Sequence, residues 1–288
     1  MYKQLIRPLL FQLPPETIHH LIMAAMRVLH YIPGGRLLLR MFYTTRHPSL
    51  VREVFGIRFP NPVGLAAGFD KDAEVYEEMA SLGFGFVEVG TITPLAQPGN
   101  PKPRLFRLPM DHALINRMGF NNQGVASAVH RLHRRNRFYH RRHPVVLGGN
   151  LGKNTLTPNE KAPADYLRLF RSLYEYVNYF VINVSCPNVA NLSCLQNKEH
   201  LKKLLEGLID FRRGQNHYRP ILLKISPDLS DEQIDEMIEV LVENGLDGIV
   251  ATNTTTSRQG LLTPSDLVAE IGNGGLSGAP LTRRSLET

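Results

Sequence analysis

Cysteine is nearly missing from this chain, and so is any long apolar run. Only Cys186 and Cys194 occur among 288 residues. No secretory signal precedes them, which excludes a disulfide framework and points to a reducing cytosol. No stretch reaches the roughly 18 apolar residues that a membrane-spanning helix needs. A nucleic-acid fold signature is missing as well, although the net charge is +7. Much of that charge lies in HRLHRRNRFYHRRH, residues 130–143, which holds six arginines and four histidines. Such a run suits a polyanion. Without a fold to present it, it reads as a solvated helix end and loop, and no nucleic-acid partner is expected.

A hydrophobic content of 43% and a charged content of 20% are those of an ordinary globular chain. The length allows one large domain or two small ones. Residues 1–45 differ in character from the remainder. ETIHHLIMAAMRVLHYI places Ile18, Leu21, Ile22, Ala25, Leu29 and Ile32 at helical spacing, and Pro33, Gly34 and Gly35 stop the helix. GGRLLLRMF then begins a second apolar piece flanked by Arg36 and Arg40. Two short amphipathic helices with arginine rims suit an interfacial membrane attachment. They suit equally a helical pair docked on the main domain.

From residue 46 to 288 the pattern changes. Short apolar runs at 62–68, 84–91, 145–150, 179–185, 221–226 and 248–253 alternate with helical patterns such as ADYLRLFRSLYEYV and SDEQIDEMIEVLVENG. The last of these has Ser230 as N-cap, Gln233 three residues on, and Gly245 just past its end. Strand and helix in alternation demand parallel pairing. Runs that are apolar without alternating fit strands covered on both faces. The expected fold is an α/β (β/α)8 TIM barrel with about six βα units present. Its chemistry belongs at the carboxyl ends of the strands. Those ends carry Lys71, Thr91, Asn150, Asn183, Lys224, Thr252 and Asn253. Turn chemistry explains any one of them. Six consecutive polar strand ends, two with lysines, suit a planar, electron-rich, anionic ligand.

Other features fit the same picture. Ala66, Ala67 and Gly68 let a flat ring approach the backbone, and GNGGLSG, 272–278, offers amides to a phosphate as a backbone nest. A long excursion between the second and third strands contains Arg104, Arg107, Asn116, Phe120 and Asn121, and a long loop over a barrel mouth is usually functional. NVSCPN, 183–188, sets Cys186 at a strand end between two asparagines. Composition alone leaves two roles for it, a small packed residue at a bend or a reagent.

The motifs GLAAGFDKD, EVGTITPLAQPGNPKPRLFRL, INRMGFNNQG, NLGKN, NVSCPN, KISPDLS, ATNTT and GGLSG span residues 53–282. In them the chain resembles the dihydroorotate dehydrogenases, specifically the membrane-associated, quinone-using class. The resemblance implies an FMN enzyme that oxidises dihydroorotate to orotate in pyrimidine synthesis and passes the electrons to a quinone. It implies FMN contacts at Ala67, Gly68, Lys71, Thr91, Asn150, Asn183, Lys224, Thr252, Ser277 and Gly278. The implied substrate contacts are Lys71, Asn116, Arg117, Met118, Gly119, Phe120, Asn183, Asn188, Asn253 and Thr254. No metal is implied. Residues 1–45 would attach a monomer peripherally to the cytoplasmic face of the inner membrane.

Two departures accompany the resemblance. The position of Cys186 is usually serine in the quinone-using class, whereas cysteine is typical of the soluble class with fumarate or a nicotinamide acceptor. A thiol, with an ordinary pKa of about 8.5, ionises more readily than a hydroxyl, so Cys186 is expected to be the catalytic base. An eightfold barrel also needs eight strands, and six are legible before Thr288. The expectation is a fragment of a longer protein, the alternative a truncated, inactive form. Rival readings are the same oxidation with a soluble acceptor, a lyase using Lys71 or Lys224 as a Schiff base, and a non-catalytic membrane-associated remnant.

Overall fold

The computed structural model describes residues 2–136, 145–188 and 198–288. Cys194 and the second half of the arginine–histidine run lie outside the described residues. The framework is a sheet of six strands: β3 (Gly64–Leu65), β4 (Phe86–Ile92), β7 (Val146–Leu151), β8 (Tyr179–Asn183), β9 (Ile221–Lys224) and β10 (Gly248–Val250). They pair in chain order and all in parallel. Each of the six expected runs overlaps one of these strands, with β4 and β7 each extending one residue past its run.

Burial explains why the central strands are apolar on both faces. All five residues of β8 are buried. Its Phe180 and Ile182 join Val87 and Val89 of β4 and Leu223 of β9 against the helices outside. Its Tyr179 and Val181 join Leu222 in a second cluster, with Phe86 packed on it, on the inner face of the curl. The outer layer is α4 (Tyr76–Ser81), α5 (Gly124–Asn136), α6 (Ala162–Leu173), α7 (Lys198–Arg213) and α8 (Asp231–Asn244). The expected cap of α8 is formed: Gln233 N donates to Ser230 Oγ at 3.3 Å, and Ser230 N to Gln233 Oε1 at 3.0 Å. Gly245 ends the helix at φ 65°, in the left-handed region that glycine tolerates. The chain is a (β/α) barrel sheet.

The structure corrects three expectations. The excursion after β4 is an antiparallel hairpin, β5 (Leu105–Leu108) and β6 (Ala113–Asn116), followed by α5 as the crossover helix. The expected nest at 272–278 is partly strand: β11 (Gly275–Gly278) pairs with β6 because that register buries Leu276 against Ile115. The described half of the basic run is also not simply solvated. Arg135 on α5 donates to Glu78 at 2.9 Å and Arg131 lies 3.5 Å from Glu74, both acids on or beside α4. An arginine buried next to a carboxylate gains what a solvated one does not.

The amino-terminal segment forms α1 (Arg7–Leu10), α2 (Pro15–His30) and α3 (Gly35–Tyr43). It is docked: Arg104 grips Glu16 of α2 at 2.8 and 3.1 Å, and Arg107 donates to Leu13 O at 2.7 Å. The inward face of α2 is Glu16, Ile18 and Met23, with Met26 packed on the core. Leu21, Ala25 and Ile32 of the apolar stripe face outward. α2 is therefore apolar on more than one side. On α3, Leu37, Leu38, Met41 and Phe42 are exposed as well. No helix among the described residues is long and apolar enough to cross a membrane. A separate antiparallel pair, β1 (Arg52–Val54) with β2 (Ile57–Phe59), follows α3. Replacing Ser230 by Ala should cost about 1 kcal/mol through loss of the cap. A lower denaturation midpoint at unchanged slope would report it.

Candidate functional site

The carboxyl ends of β4, β7, β8, β9 and β10 converge on one polar mouth. Thr91 Oγ1 donates to Asn150 Oδ1 at 2.6 Å, and Asn183 Nδ2 donates to Thr91 Oγ1 at 2.9 Å and to Asn150 Oδ1 at 3.2 Å. Asn253 Nδ2 donates to Ser185 Oγ at 3.0 Å and Asn183 Oδ1 at 3.4 Å. The hydroxyl of Tyr166 on α6 holds Asn183 O at 2.8 Å. Thr91, Asn150 and Asn183 are all buried, so each polar atom needs a partner, and the network supplies one. Lys224, the register partner of Asn183, ends β9 and is buried. Among the described residues its ammonium has no hydrogen-bond partner.

Lys71 enters from the loop after β3. It donates to Gly119 O at 3.3 Å and to Asn121 Oδ1. Burial pushes its pKa down to about 8, and a negative charge on Cys186 would push it back up. Cys186 is half-buried beside the mouth and is a free thiol. Burial pushes the thiol up, against the Asn188 N–H and the ammoniums of Lys71 and Lys224, which favour the thiolate. The resting thiol is thus less readily ionised than its ordinary value suggests.

The hairpin folds over this mouth. Asn188 Nδ2 donates to Asn116 O at 2.9 Å, and Asn100 Nδ2 to Asn188 O at 3.4 Å. Met118 N donates to Asn116 Oδ1 at 2.8 Å, and Met118 and Phe120 are buried. Gly119, at φ 72°, makes the turn between them. Gly68, at φ 110°, has nothing within 4 Å of where a Cβ would stand, which leaves room for a flat ligand against its backbone. Thr252 bonds Ser285 Oγ at 3.2 Å, and Thr254 N bonds the Asn253 side chain at 2.8 Å.

Three expected residues stand apart. The Arg117 guanidinium points away, to Ile271 O at 2.6 Å and Pro103 O at 3.0 Å, and lies over Phe106. Ser277 and Gly278 border a different space, a cavity of about 520 Å³ walled by Arg7, Phe11, Ile18, His19, Phe69 and Arg107. Sequence reasoning missed Glu88, Ser185, Tyr166 and Tyr179. The signal for Glu88 was there: a lone acid inside the apolar run FGFVEVGT.

The family model for dihydroorotate dehydrogenase matches residues 49–288. The chain belongs to the dihydroorotate dehydrogenase family. A relative from Christiangramia forsetii called dihydroorotate dehydrogenase (quinone) is 53% identical, over 100% of this chain and 81% of its own length. One of the same name from Rhodococcus opacus is 49% identical, over 100% of this chain and 77% of its own. The crystal structure of ligand-free DHODH from Eimeria tenella superposes with a TM-score of 0.84 at 36% identity, covering 95% of this chain and 77% of that one. The complex of that protein with ferulenol gives 0.80, also at 36% identity, covering 95% and 74%.

For a dihydroorotate dehydrogenase the lowered Lys71 has a measurable consequence. Above pH 8 the free lysine loses its proton, whereas a bound carboxylate favours the ammonium and raises its pKa. A role for Lys71 in holding a substrate carboxylate predicts that orotate binding takes up a proton above about pH 8, with affinity falling toward tenfold per pH unit there. Calorimetry in two buffers of different ionisation enthalpy would detect the proton; pH-independent affinity between 8 and 9.5 would exclude this role.

Proposed function

We propose that the chain oxidises dihydroorotate to orotate with FMN and passes the electrons to a quinone, in pyrimidine synthesis. The observation that carries this is the buried amide network at four strand ends with Cys186 and two lysines at its rim. The residues fit a flavin. Lys224 is buried at the mouth as the register partner of Asn183, and the backbone at Gly68 is open to a ring. Ala67, Gly68, Thr91, Asn150, Asn183 and Lys224 would hold it. When bound, the flavin supplies the hydride acceptor, and the protein supplies position and electrostatics.

The roles of the chain's own residues follow from chemistry. Asn116, Asn188 and Asn253 carry amides suited to a substrate's carboxylate and ring carbonyls. Lys71 balances the carboxylate charge. Cys186, as thiolate, takes a proton from the carbon adjacent to the one losing hydride, and the electron pair left behind closes the double bond of orotate. Lys224 favours the negative charge that reduction brings to the flavin. Orotate is released, and the two electrons are passed on to the quinone. The apolar cavity between α1, α2 and the hairpin, entered beside Phe11, Ile18 and Ile22, suits a quinone head, with His19 and Arg107 for its oxygens. The outward apolar residues of α2 and α3 suit peripheral attachment to the cytoplasmic face of the inner membrane.

One observation favours a second reading. A lysine lowered to about 8, as Lys71 is, also suits a Schiff-base lyase. Flavin absorbance in the purified protein separates the two.

Cys186→Ala should keep its flavin and still bind orotate. Its flavin reduction by dihydroorotate should fall about a hundredfold or more, the scale of losing a general base. Cys186→Ser should retain part of the rate, with its pH dependence moved upward. Stopped-flow absorbance isolates this step, and a wild-type rate in the alanine variant would make the thiol a packing residue. Glutamates at Leu38 and Phe42 should release the protein from vesicles and slow quinone reduction. Reduction of a small soluble acceptor should be unchanged. Equal loss with both acceptors would refute membrane attachment through this face.

A further inference from the structure

Below the amide network lies an acid that these roles leave unused. Glu88 is in the middle of β4 and is 6% exposed. Strand residues alternate between faces. Val87 and Val89 face the helices, so Glu88 faces the inside of the curl, one layer under the mouth. There Asn150 Nδ2 donates to Glu88 Oε1 at 2.8 Å. The Tyr179 hydroxyl and the Ala67 N–H also bond it. The tyrosine reaches that far because residue 148 is glycine: a Cβ there would lie 2.5 Å from the hydroxyl oxygen and 2.3 Å from the ring.

Asn150 and Ala67 offer only N–H groups to Glu88, and the tyrosine hydroxyl completes the set as a third donor. A carboxylate that accepts several such bonds is held in its charged form. Burial acts the other way and pushes the carboxyl up; the ammonium of Lys224 opposes that shift. Two ions of opposite sign thus share the floor of the mouth, each making the other's burial tolerable. Glu88 also settles the orientation of an amide. With Nδ2 of Asn150 given to Glu88, Oδ1 is left to accept from Thr91 and Asn183. A flipped amide would set Asn150 Nδ2 against Asn183 Nδ2.

We propose that Glu88 is a positioning residue of the reaction. It fixes which way the Asn150 amide faces, and its charge opposes the Lys224 ammonium, which limits how strongly Lys224 favours the reduced, anionic flavin. This rests on the flavin reading of the same site. The charge of Glu88 would keep the flavin's potential low enough to hand its electrons on to the next acceptor.

The test is the reduction potential of the flavin in the holoenzyme at neutral pH, measured by equilibration with a reference dye. Glu88→Gln keeps the volume and removes the charge, and the potential should rise above that of the wild type. Glu88→Asp keeps the charge on a shorter arm, and its potential should stay near the wild-type value. A loss of flavin in Glu88→Gln, with Glu88→Asp still holding flavin at the wild-type potential, also supports the charge requirement. An unchanged potential in Glu88→Gln, the same shift in both variants, or loss of flavin from both overturns the proposal. Wild-type protein that binds no flavin overturns instead the reading of function, and this inference with it.

Discussion

The central strands of the parallel sheet are buried on both faces, by helices outside and by aromatic and branched side chains within. A strand in that position can place a polar side chain in only two ways: beyond its carboxyl end, or against a polar partner inside. The chain does both. Thr91, Asn150, Asn183 and Asn253 stand at or just past strand ends, and Glu88 is the acid that stays within. Burial then forces these groups to satisfy one another, since an unpaired buried amide costs about 1–3 kcal/mol. The site is thus a consequence of how the sheet is covered. Its rigidity comes from the same hydrogen bonds that make its burial tolerable.

The docking of the amino-terminal helices obeys a related logic. Glu77 and Glu78 of α4 are almost fully buried, which three basic groups make possible: His30 of α2, Arg36 of α3 and Arg135 of α5; Arg27 lies nearby on Glu74. Removing one partner of such a pair leaves a buried charge uncompensated, at a cost of several kcal/mol. Asp70 accepts the backbone N–H of Glu74 and of Val75, each at 2.8 Å. It lies next to Lys71, so the loop that carries a lysine of the mouth also leads into the helix that anchors α2 and α3. Helix docking and mouth geometry share one short stretch of chain.

The barrel was legible because its signals are periodic and local. Six apolar runs, four helical patterns and a capping box each speak for themselves within a few residues. Strand-end residues were legible through position alone, and the network unites Thr91, Asn150, Asn183 and Asn253 as expected. What was not legible depends on pairing between distant segments. The partnership of β11 with β6 joins residues far apart in the chain, so Ser277 and Gly278 looked like turn residues and proved to be strand. Arg117 was placed by its neighbours in sequence, yet its guanidinium is claimed by the carbonyls of Pro103 and Ile271. Which side of α2 faces the barrel is left open by the sequence because the helix is apolar on several sides. Periodicity cannot choose between two apolar faces; only the barrel surface that one of them meets can.

Cys186 shows how burial and basicity trade against each other. The environment that pushes the thiol up makes thiolate scarcer at rest, and each thiolate that forms is a stronger base. Lys71 is its counterpart, pushed down by the same desolvation and favoured as an ammonium when Cys186 is charged. The two groups therefore prefer to be neutral together or charged together. An anion bound beside Lys71 would stabilise its ammonium, and that ammonium would in turn ease ionisation of the thiol. A serine here would start from a far less acidic hydroxyl and depend more on the same lysines. Cysteine is compatible with a deeply covered mouth because its ordinary pKa leaves room for the upward shift that burial imposes.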